Sequence, residues 1–337
     1  MAIKLSLLDQ SPINEHTTAV EAFQQTLELA QKAETLGYHR FWVSEHHDSD
    51  GVVGSSPEVL ISYLLAKTER IRIGSGGVML QHYSPFKVAE NFNVLASLAP
   101  GRVDLGIGRA PGGLPRSTRA LQQESAGQGA SLEDKLILLD QYIHDTLDAE
   151  HELHGIKAVP VPAQPAELFL LGGGGTSTAL AARLGIPYVF AQFINGDESV
   201  SKQAFEAYRE QFKPVNGSKP QAILAVSVIL TDTDEEAKAL AADIKNVKVH
   251  LESGRTLTVK TVEQAEEFGK QSNENYTVEV KDANIIHGSK ETVRVKLLEL
   301  QKAFQLDEII IVIALKEFKQ RLRAIVLLQE AFSELTV

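Results

Sequence analysis

The sequence predicts an α/β fold, a single (β/α)8 TIM barrel with an insertion between strand seven and strand eight. Eight short apolar segments alternate with helical segments along the 337 residues, which is the pattern of β-then-α units. The apolar segments are mostly continuous, as expected for parallel strands that are buried on both faces. No linker divides the chain, so residues 1–337 are predicted to form one domain rather than the alternative, two doubly wound sheets.

The elements of the first half are predicted from apolar runs and helix-start signals. Strands are predicted at residues 3–8, 41–43, 71–74 and 103–107. The first helix follows a capping box from Thr18 to Glu21, and Gly37 closes it. Ser56-Pro57 and Ser84-Pro85 open the next two helices, because proline in the first helical turn loses no hydrogen bond.

Helices and strands continue to alternate in the second half. Strands are predicted at residues 167–171, 187–191, 222–230 and 308–313. Helices are predicted at residues 131–147, 176–184, 199–212, 234–251, 290–304 and 316–335. A polar insertion, from about residue 252 to residue 286, breaks the alternation. An insertion on the loop face of a barrel is often a lid, and the alternative is a solvated excursion without a catalytic role.

Composition restricts the partners and the chemistry of the chain. Its net charge of −11 at pH 7 opposes binding to nucleic-acid phosphates. The chain has no cysteine, which excludes disulfides, thiolate metal sites and a cysteine nucleophile. No secretory signal and no apolar run of 18 residues are found, so we expect a cytoplasmic protein that does not enter a membrane.

Two predicted strands end in titratable side chains. The second strand leads to Glu45, His46, His47 and Asp48, and the fourth leads to Arg109. Active sites of barrels lie at the carboxyl ends of the strands, so both segments point to one candidate site. His46 suits acid–base chemistry or a hydrogen bond to a ligand, the alternative being a structural histidine. Arg109 suits an anionic ligand.

The sequence gives little support to a metal site or to a serine nucleophile. Adjacent residues on an extended chain point to opposite faces, so His46 and His47 rarely reach one ion. His151 and His154 have helical spacing but lie in a predicted loop. We therefore predict no metal site. The chain also lacks a G-x-S-x-G elbow, which argues against a serine nucleophile.

Two glycine-rich runs follow predicted strands. Residues 172–175 are all glycine and open a helix, where free N–H groups bind phosphate and the hydroxyls of Thr176 and Ser177 add donors. The alternative is a flexible turn. Gly76 and Gly77 allow a bulge or the close approach of a flat ligand to the backbone, and the residues alone favour a structural role. Gln192 and Asn195 follow the sixth strand and are further candidates for ligand contact.

Jointly, residues 36–47, 71–85 and 100–112 resemble the bacterial-luciferase-like flavin monooxygenase family. The resemblance extends over most of residues 3–195 and returns near residues 285–328. It implies a TIM barrel that binds FMN or, in some branches, the deazaflavin F420. It also implies a homodimer to which a separate reductase delivers reduced flavin.

The resemblance assigns roles to individual residues. His46 matches the histidine beside the reacting flavin, and Gly76-Gly77 matches a non-prolyl cis peptide under the flavin ring. Arg109 matches an arginine near the flavin phosphate. Gly173, Gly174 and Ser177 match the phosphate loop. Glycines replace the acidic and serine side chains that luciferase itself has at positions 173 and 174, so backbone N–H groups and the hydroxyls of Thr176 and Ser177 are expected to hold the phosphate.

These observations together predict an FMN-dependent monooxygenase that uses reduced flavin and O2 on a small organic substrate. The alternatives are an F420-dependent hydride-transfer enzyme and a flavin-binding protein without catalysis. The lack of a clear basic cluster for the polyglutamate tail of F420 favours FMN.

Overall fold

The computed structural model describes residues 3–13, 16–122, 130–215 and 217–333. Within these residues, eight parallel strands close into a barrel, namely β1 (Lys4–Asp9), β2 (Arg40–Val43), β3 (Arg72–Val78), β4 (Val103–Ile107), β5 (Glu167–Gly172), β6 (Tyr188–Ala191), β7 (Ala222–Leu230) and β12 (Glu308–Ile313). Each strand pairs in parallel with the next, and β12 pairs with β1, so the barrel is closed. The predicted (β/α)8 barrel is confirmed.

The helices of the described residues lie mainly in the connections between barrel strands. They are α1 (Ala19–Leu36), α2 (Pro57–Ala66), α3 (Pro85–Leu98), α4 (Pro115–Leu121), α5 (Leu132–His144), α6 (Gly175–Leu184), α7 (Glu198–Gln211), α8 (Asp234–Ala241), α9 (Val262–Ser272), α10 (Lys290–Phe304) and α11 (Phe318–Ser333). The capping box of α1 is present, because Thr18 and Glu21 each accept a hydrogen bond from the other's backbone N–H. Gly37 ends this helix in the left-handed conformation, with a φ of 80°. The short helix α4 was not predicted.

The segment between β7 and β12 contains four further strands. They are β8 (Lys245–Leu251), β9 (Thr256–Val259), β10 (Tyr276–Asp282) and β11 (Ile285–Gly288). In the described part of the chain, β10, β8 and β9 form an antiparallel sheet on which α9 packs, and β11 pairs in parallel with the end of β7. Residues 245–282 are called the insertion sheet below. The insertion is therefore folded and carries its own apolar cluster, which includes Val247, Val249 and Phe268.

The prediction of one helix over residues 234–251 was wrong. The helix α8 ends at Ala241, and residues 245–251 form the central strand of the insertion sheet. Val247, Val249 and Leu251 are buried while the residues between them are partly exposed, which is the period-two pattern of a strand. The insertion thus begins near residue 245 rather than at 252.

The third strand was predicted too short. It was expected to end at Gly74, but β3 continues to Val78 and includes both Gly76 and Gly77. Glycines disfavour strands in an isolated chain, but here β2 and β4 bond to both edges of β3 and hold it extended.

The amino end of the barrel is filled by a network of five charged side chains, of which three are buried. Arg40 is 2% exposed and donates to Glu308 Oε1 at 2.8 Å and to Asp104 Oδ2 at 2.9 Å. Arg72 adds bonds to Asp104 and Glu167. Four of these five residues start their strands, so the network fills the end of the barrel opposite the candidate site.

The interior of the barrel is apolar above this charge network. Its buried side chains form a cluster that is separate from the larger core between strands and helices. They come from β7 and five other barrel strands and include Trp42 and Phe169. Phe193, just after β6, is only partly buried and packs against this cluster. The carboxyl end of the barrel thus opens onto an apolar floor. Among the described residues, no helix is long and apolar enough to cross a membrane.

Candidate active site

The predicted site residues lie at the carboxyl ends of consecutive barrel strands. His46 follows β2, Gly76 and Gly77 lie in β3, Arg109 follows β4, and residues 173–177 follow β5. Because β2 to β5 are neighbours in the barrel, the structure brings these residues to one arc of its rim. We call this arc the candidate site.

His46 is held at the rim by its neighbours. Its Nδ1 lies 3.1 Å from Ser44 Oγ, and its backbone N–H donates to the Gly54 carbonyl oxygen at 2.8 Å. Burial lowers the pKa of His46 to about 4, and the positive charge of Lys260 adds to this effect. The imidazole is therefore neutral at pH 7 and can accept a proton or a hydrogen bond.

Glu45 ties together the loops that surround His46. Its side chain is fully buried and accepts hydrogen bonds from Tyr83 Oη at 2.7 Å and from the Met79 backbone at 3.0 Å. His47 Nε2 lies 2.7 Å from Glu45 Oε1, and the His47 backbone donates to Gly112. Glu45 thus links the ends of β2 and β3, and the backbone of His47 links the end of β2 to the segment after β4. The sequence showed a titratable segment here but not these bonds, because the partners are 34 and 38 residues away.

The two glycines of β3 leave a bare stretch of backbone at the rim. The peptide bond between Gly76 and Gly77 is cis, as the resemblance implied. A Cβ on Gly76 would lie 2.9 Å from Leu8 and Trp42, and one on Gly77 would lie 2.7 Å from Gly106 O and Gly108 N. Only glycine fits both positions. Gly76 is partly exposed between buried neighbours, so its backbone is open to a ligand.

The start of α6 is suited to an anion. Gly174 precedes the helix and provides no side-chain cap, so the first N–H groups have no partner from a capping side chain. A Cβ on Gly174 or Gly175 would meet no heavy atom within 4 Å, which means that the space in front of the helix is open. The helix dipole adds a partial positive charge at this point.

The hydroxyls of this loop differ in their availability. Thr176 is exposed, whereas Ser177 is 1% exposed and donates its hydroxyl to the Gly174 carbonyl oxygen at 2.9 Å. Asn195 Nδ2 donates to Gly173 O at 2.9 Å and so supports the loop instead of facing a ligand. Thr176 and the backbone N–H groups are therefore the available donors, and the side chain of Ser177 shapes the loop.

Arg109 lies near the same loop. Its positive charge acts on the hydroxyl of Tyr188, which itself lies 3.3 Å from Ser177 Oγ. Arg109 is exposed and makes no ion pair within the described ranges. A free guanidinium beside an open helix start provides a second group that can bind an anion.

Two further side chains belong to the site, namely Gln192, which the sequence indicated as a candidate for ligand contact, and Lys260, which it did not. Gln192, after β6, is 4% exposed, and its Nε2 has no hydrogen-bond partner in the part of the chain that the structure describes. A buried donor without a partner is rare and points to a ligand acceptor. Lys260, at the end of β9, reaches the rim from the insertion sheet and donates to Gln10 Oε1 at 3.4 Å. No sequence signal identified Lys260, because its contact is 250 residues away.

The arrangement fits a flat ligand with a phosphate tail. The glycine backbone of β3 accepts a planar ring closely, and the apolar floor lies beneath it. The open helix start and Arg109 offer N–H groups and a positive charge to an anion further along the rim. A flavin mononucleotide has both parts. Among the described residues, no group of three or more histidine, cysteine, aspartate or glutamate side chains could hold a metal ion.

Comparisons with known proteins agree with this geometry. The family profile of luciferase-like monooxygenases matches residues 1–305. The chain is 43% identical to an N-acetyl-S-alkylcysteine monooxygenase of Bacillus subtilis (strain 168), covering 98% of both chains. It is 35% identical to a luciferase-like monooxygenase of Escherichia coli (strain K12), covering 99% of this chain and 98% of that one.

Solved structures share the fold. The structure of apo-MsnO8 is 32% identical and superposes with a TM-score of 0.81, covering 98% of each chain. An FMN complex of the oxygenating constituent of 3,6-diketocamphane monooxygenase, 18% identical, covers 98% of this chain and 97% of that one with a TM-score of 0.70. An F420-dependent secondary alcohol dehydrogenase, 13% identical, covers 98% of both with a TM-score of 0.68. The last two show the fold alone. From the family match and these relatives, we conclude that the chain belongs to the luciferase-like monooxygenase family.

Proposed function

We propose that this protein is an FMN-dependent monooxygenase that oxygenates a small organic substrate with O2. The observation that carries this proposal is the open, uncapped start of α6 with Arg109 beside it, on the same rim as His46 and the glycines of β3. The start of α6 and Arg109 would hold the phosphate, and the Gly76–Gly77 backbone would support the ring. When bound, reduced FMN supplies two electrons, so that one oxygen atom enters the substrate and the other leaves as water.

His46 is the residue that we assign to proton transfer. It is neutral at pH 7 because burial lowers its pKa to about 4, and Ser44 orients its ring through Nδ1. A neutral imidazole at the ring end of the site can take a proton from the substrate and return it. The apolar floor around Trp42 and Phe169 excludes water from the reacting groups.

The partners of the enzyme follow from the same proposal. A separate reductase would deliver the reduced flavin, as the name of the oxygenase component of a trigonelline monooxygenase suggests for that relative. That relative is 24% identical over 69% of this chain. The name of the Bacillus relative makes S-alkylated N-acetylcysteines the first substrates to assay.

We also propose a homodimer that forms through α2 and α3. These two helices pack together, and their outer faces expose Val59, Tyr63, Val94 and Leu98, which are 67%, 47%, 43% and 69% exposed. Val59 and Tyr63 are four residues apart on α2, and Val94 and Leu98 are four apart on α3, so each pair lies on one side of its helix. A twofold axis would bring this apolar stripe against its own copy.

The proposed function is tested by binding and by isotope transfer. Calorimetric titration with FMN, reduced FMN and F420 identifies the cofactor. Turnover with a flavin reductase, NADH and ¹⁸O2 then shows whether one labelled atom enters N-acetyl-S-alkylcysteine substrates. FMN binding with label in the product supports the monooxygenase. F420 binding without FMN binding supports hydride transfer, and FMN binding without turnover of any substrate supports a flavin carrier.

A further inference from the structure

We propose that Lys260 binds the carboxylate of the substrate, which makes the substrate a small organic acid. This inference rests on the proposed function, because it assigns a substrate group to the same site. It is carried by an unpaired lysine that the insertion sheet holds over the rim of the barrel.

The insertion sheet is anchored where it meets the rim. Leu114, in the connection after β4, packs into the apolar cluster of the insertion sheet. The Arg116 backbone donates to Gln271 Oε1 at 2.9 Å, so α4 and α9 are joined by packing and by a hydrogen bond. At the other side, Lys260 contacts Gln10, which follows β1. The insertion sheet therefore reaches both the β4 side and the β1 side of the opening.

Lys260 has no opposite charge near it. It makes no ion pair within the described ranges, while Lys245, Lys270 and Lys281 of the same insertion each pair with a carboxylate. Its side chain is accessible to solvent, yet the surrounding protein desolvates its ammonium group and lowers its pKa. A cation in such surroundings gains stability when an anion binds beside it.

The two groups that face Lys260 carry no negative charge, so a ligand would have to supply the anion that pairs with it. Gln10 is neutral, and His46, whose pKa Lys260 lowers, is neutral at pH 7. The carboxylates that directly precede His46 and Gln10 in the chain are engaged elsewhere. Glu45 bonds with Tyr83 and Met79, and Asp9 is paired with Arg321.

The anion that Lys260 would bind is distinct from the flavin phosphate, because Lys260 lies far from the proposed phosphate site. In the closed order of the eight barrel strands, β1 lies four strands from β5, so Lys260 contacts the rim opposite the loop at residues 173–177. Gln10, which Lys260 contacts, follows β1, and β1 pairs with β2, the strand that leads to His46. Lys260 thus lies on the His46 side of the rim, where we expect the substrate to react. The anion at Lys260 is therefore assigned to the substrate.

The test compares an acid with its neutral amide. Calorimetry with excess oxidised FMN measures binding of N-acetyl-S-ethyl-L-cysteine and of its primary amide to the full chain. We expect the wild type to bind the acid ten- to hundredfold more tightly than the amide. Lys260→Gln should abolish this preference by weakening the binding of the acid alone, and Lys260→Arg should retain the preference. Lys270→Gln, which removes an outward lysine of the insertion, is the matched control and should behave as the wild type.

Two results would overturn the inference. One is a wild type that binds neither compound or shows no preference for the acid. The other is a preference that persists in Lys260→Gln. The same titrations separate this inference from the proposed function, because FMN binding without a preference for the acid removes only the former. A preference for the acid without FMN binding removes only the latter.

Discussion

Single residues at the rim act through neighbours that are distant in sequence. The pKa of His46 is low because the folded chain surrounds it and because Lys260 approaches from the insertion. Gly77 is required because β4 passes so close that a side chain has no space. Both effects depend on packing, so both can be tested by small substitutions at one position.

Replacing His46 should affect catalysis more than flavin binding. We expect His46→Ala to lower kcat about a hundredfold or more, since general acid–base groups contribute about 10² to 10⁴. The dissociation constant for FMN should stay within a few-fold. Turnover of labelled oxygen and calorimetric FMN titration measure the two effects, with His144→Ala on α5 as a control. Equal turnover in the wild type and the His46 variant would remove its assigned role.

Replacing Gly77 should destabilise the fold, whereas replacing Gly51 should not. A Cβ on Gly77 would lie 2.7 Å from two backbone atoms of the β4 segment, so Gly77→Ala should lower the free energy of unfolding by about 1–3 kcal/mol. A Cβ on Gly51 meets nothing within 4 Å, and alanine restricts the unfolded chain, so Gly51→Ala should be neutral or slightly stabilising. Urea unfolding measures both. Similar stability of the two variants would contradict the packing of β3 on β4.

At the scale of elements, the start of α6 and the insertion sheet determine what the rim can bind. The helix begins at Gly175 without a side-chain cap, which leaves its first N–H groups for a ligand. The insertion sheet packs its α9 on α4 and brings Lys260 to the rim. One element thus accounts for the proposed phosphate site, and the other accounts for the proposed substrate site.

The phosphate site predicts a difference between FMN and riboflavin, which lacks the phosphate. The wild type should bind FMN more tightly than riboflavin. Arg109→Gln should weaken FMN binding about tenfold to hundredfold without changing riboflavin binding. Arg119→Gln, an exposed arginine on α4, is the matched control. Fluorescence titration with both flavins measures the effect. An equal loss for both flavins would place Arg109 away from the phosphate.

At the scale of the molecule, charges and apolar residues divide the barrel into two ends with different roles. The amino end holds a charge network that stabilises the fold; Arg40, Asp104 and Glu308 are its buried members, and Arg72 and Glu167 are partly exposed. The carboxyl end leaves Arg109 and Lys260 without ion pairs in the described ranges, although the chain carries a net charge of −11. Ligand recognition is therefore expected at the carboxyl end only.

Breaking the network at the amino end should cost much stability. Arg40→Met leaves the buried Glu308 without its cationic partner and leaves Asp104 with Arg72 as its remaining cation, so we expect a loss of about 3–5 kcal/mol in the free energy of unfolding. Arg323→Met breaks an exposed pair with Asp232 and should cost less than about 1 kcal/mol. Denaturant unfolding of the two variants gives the comparison. A loss at Arg40 as small as that at Arg323 would disprove the structural importance of the network.

The proposed dimer predicts a change in molecular mass. Leu98→Asp puts a charge on the apolar face of α2 and α3 and should convert a dimer to a monomer, since a buried unpaired charge is unfavourable. Val295→Asp, on α10, replaces an equally apolar residue that is 57% exposed and should leave the mass unchanged. Sedimentation or light scattering measures the masses. A wild-type monomer, or a dimer in Leu98→Asp, would refute this interface.

Much of the barrel could be predicted from local patterns, and the errors have local causes. Continuous apolar runs and the Ser-Pro starts at residues 56–57 and 84–85 identified α2, α3 and most strands correctly. The helix over residues 234–251 was wrong because its charged, alanine-rich beginning hid the alternation of Val247, Val249 and Leu251. The extension of β3 through Gly76 and Gly77 depends on pairing with β2 and β4, which no local window contains.

The strand-ending side chains His46 and Arg109, the glycines and the order of the elements could be read from the sequence, because periodicity and caps are local properties. Three contacts are visible in the folded structure alone: Glu45 joins the loops after β2 and β3, Ser177 turns its hydroxyl to Gly174, and Lys260 reaches the rim. The Glu45 contacts depend on the pairing of β2 with β3, and the Lys260 contact depends on docking of the insertion sheet. Both bring residues that are tens to hundreds of positions apart within hydrogen-bond distance.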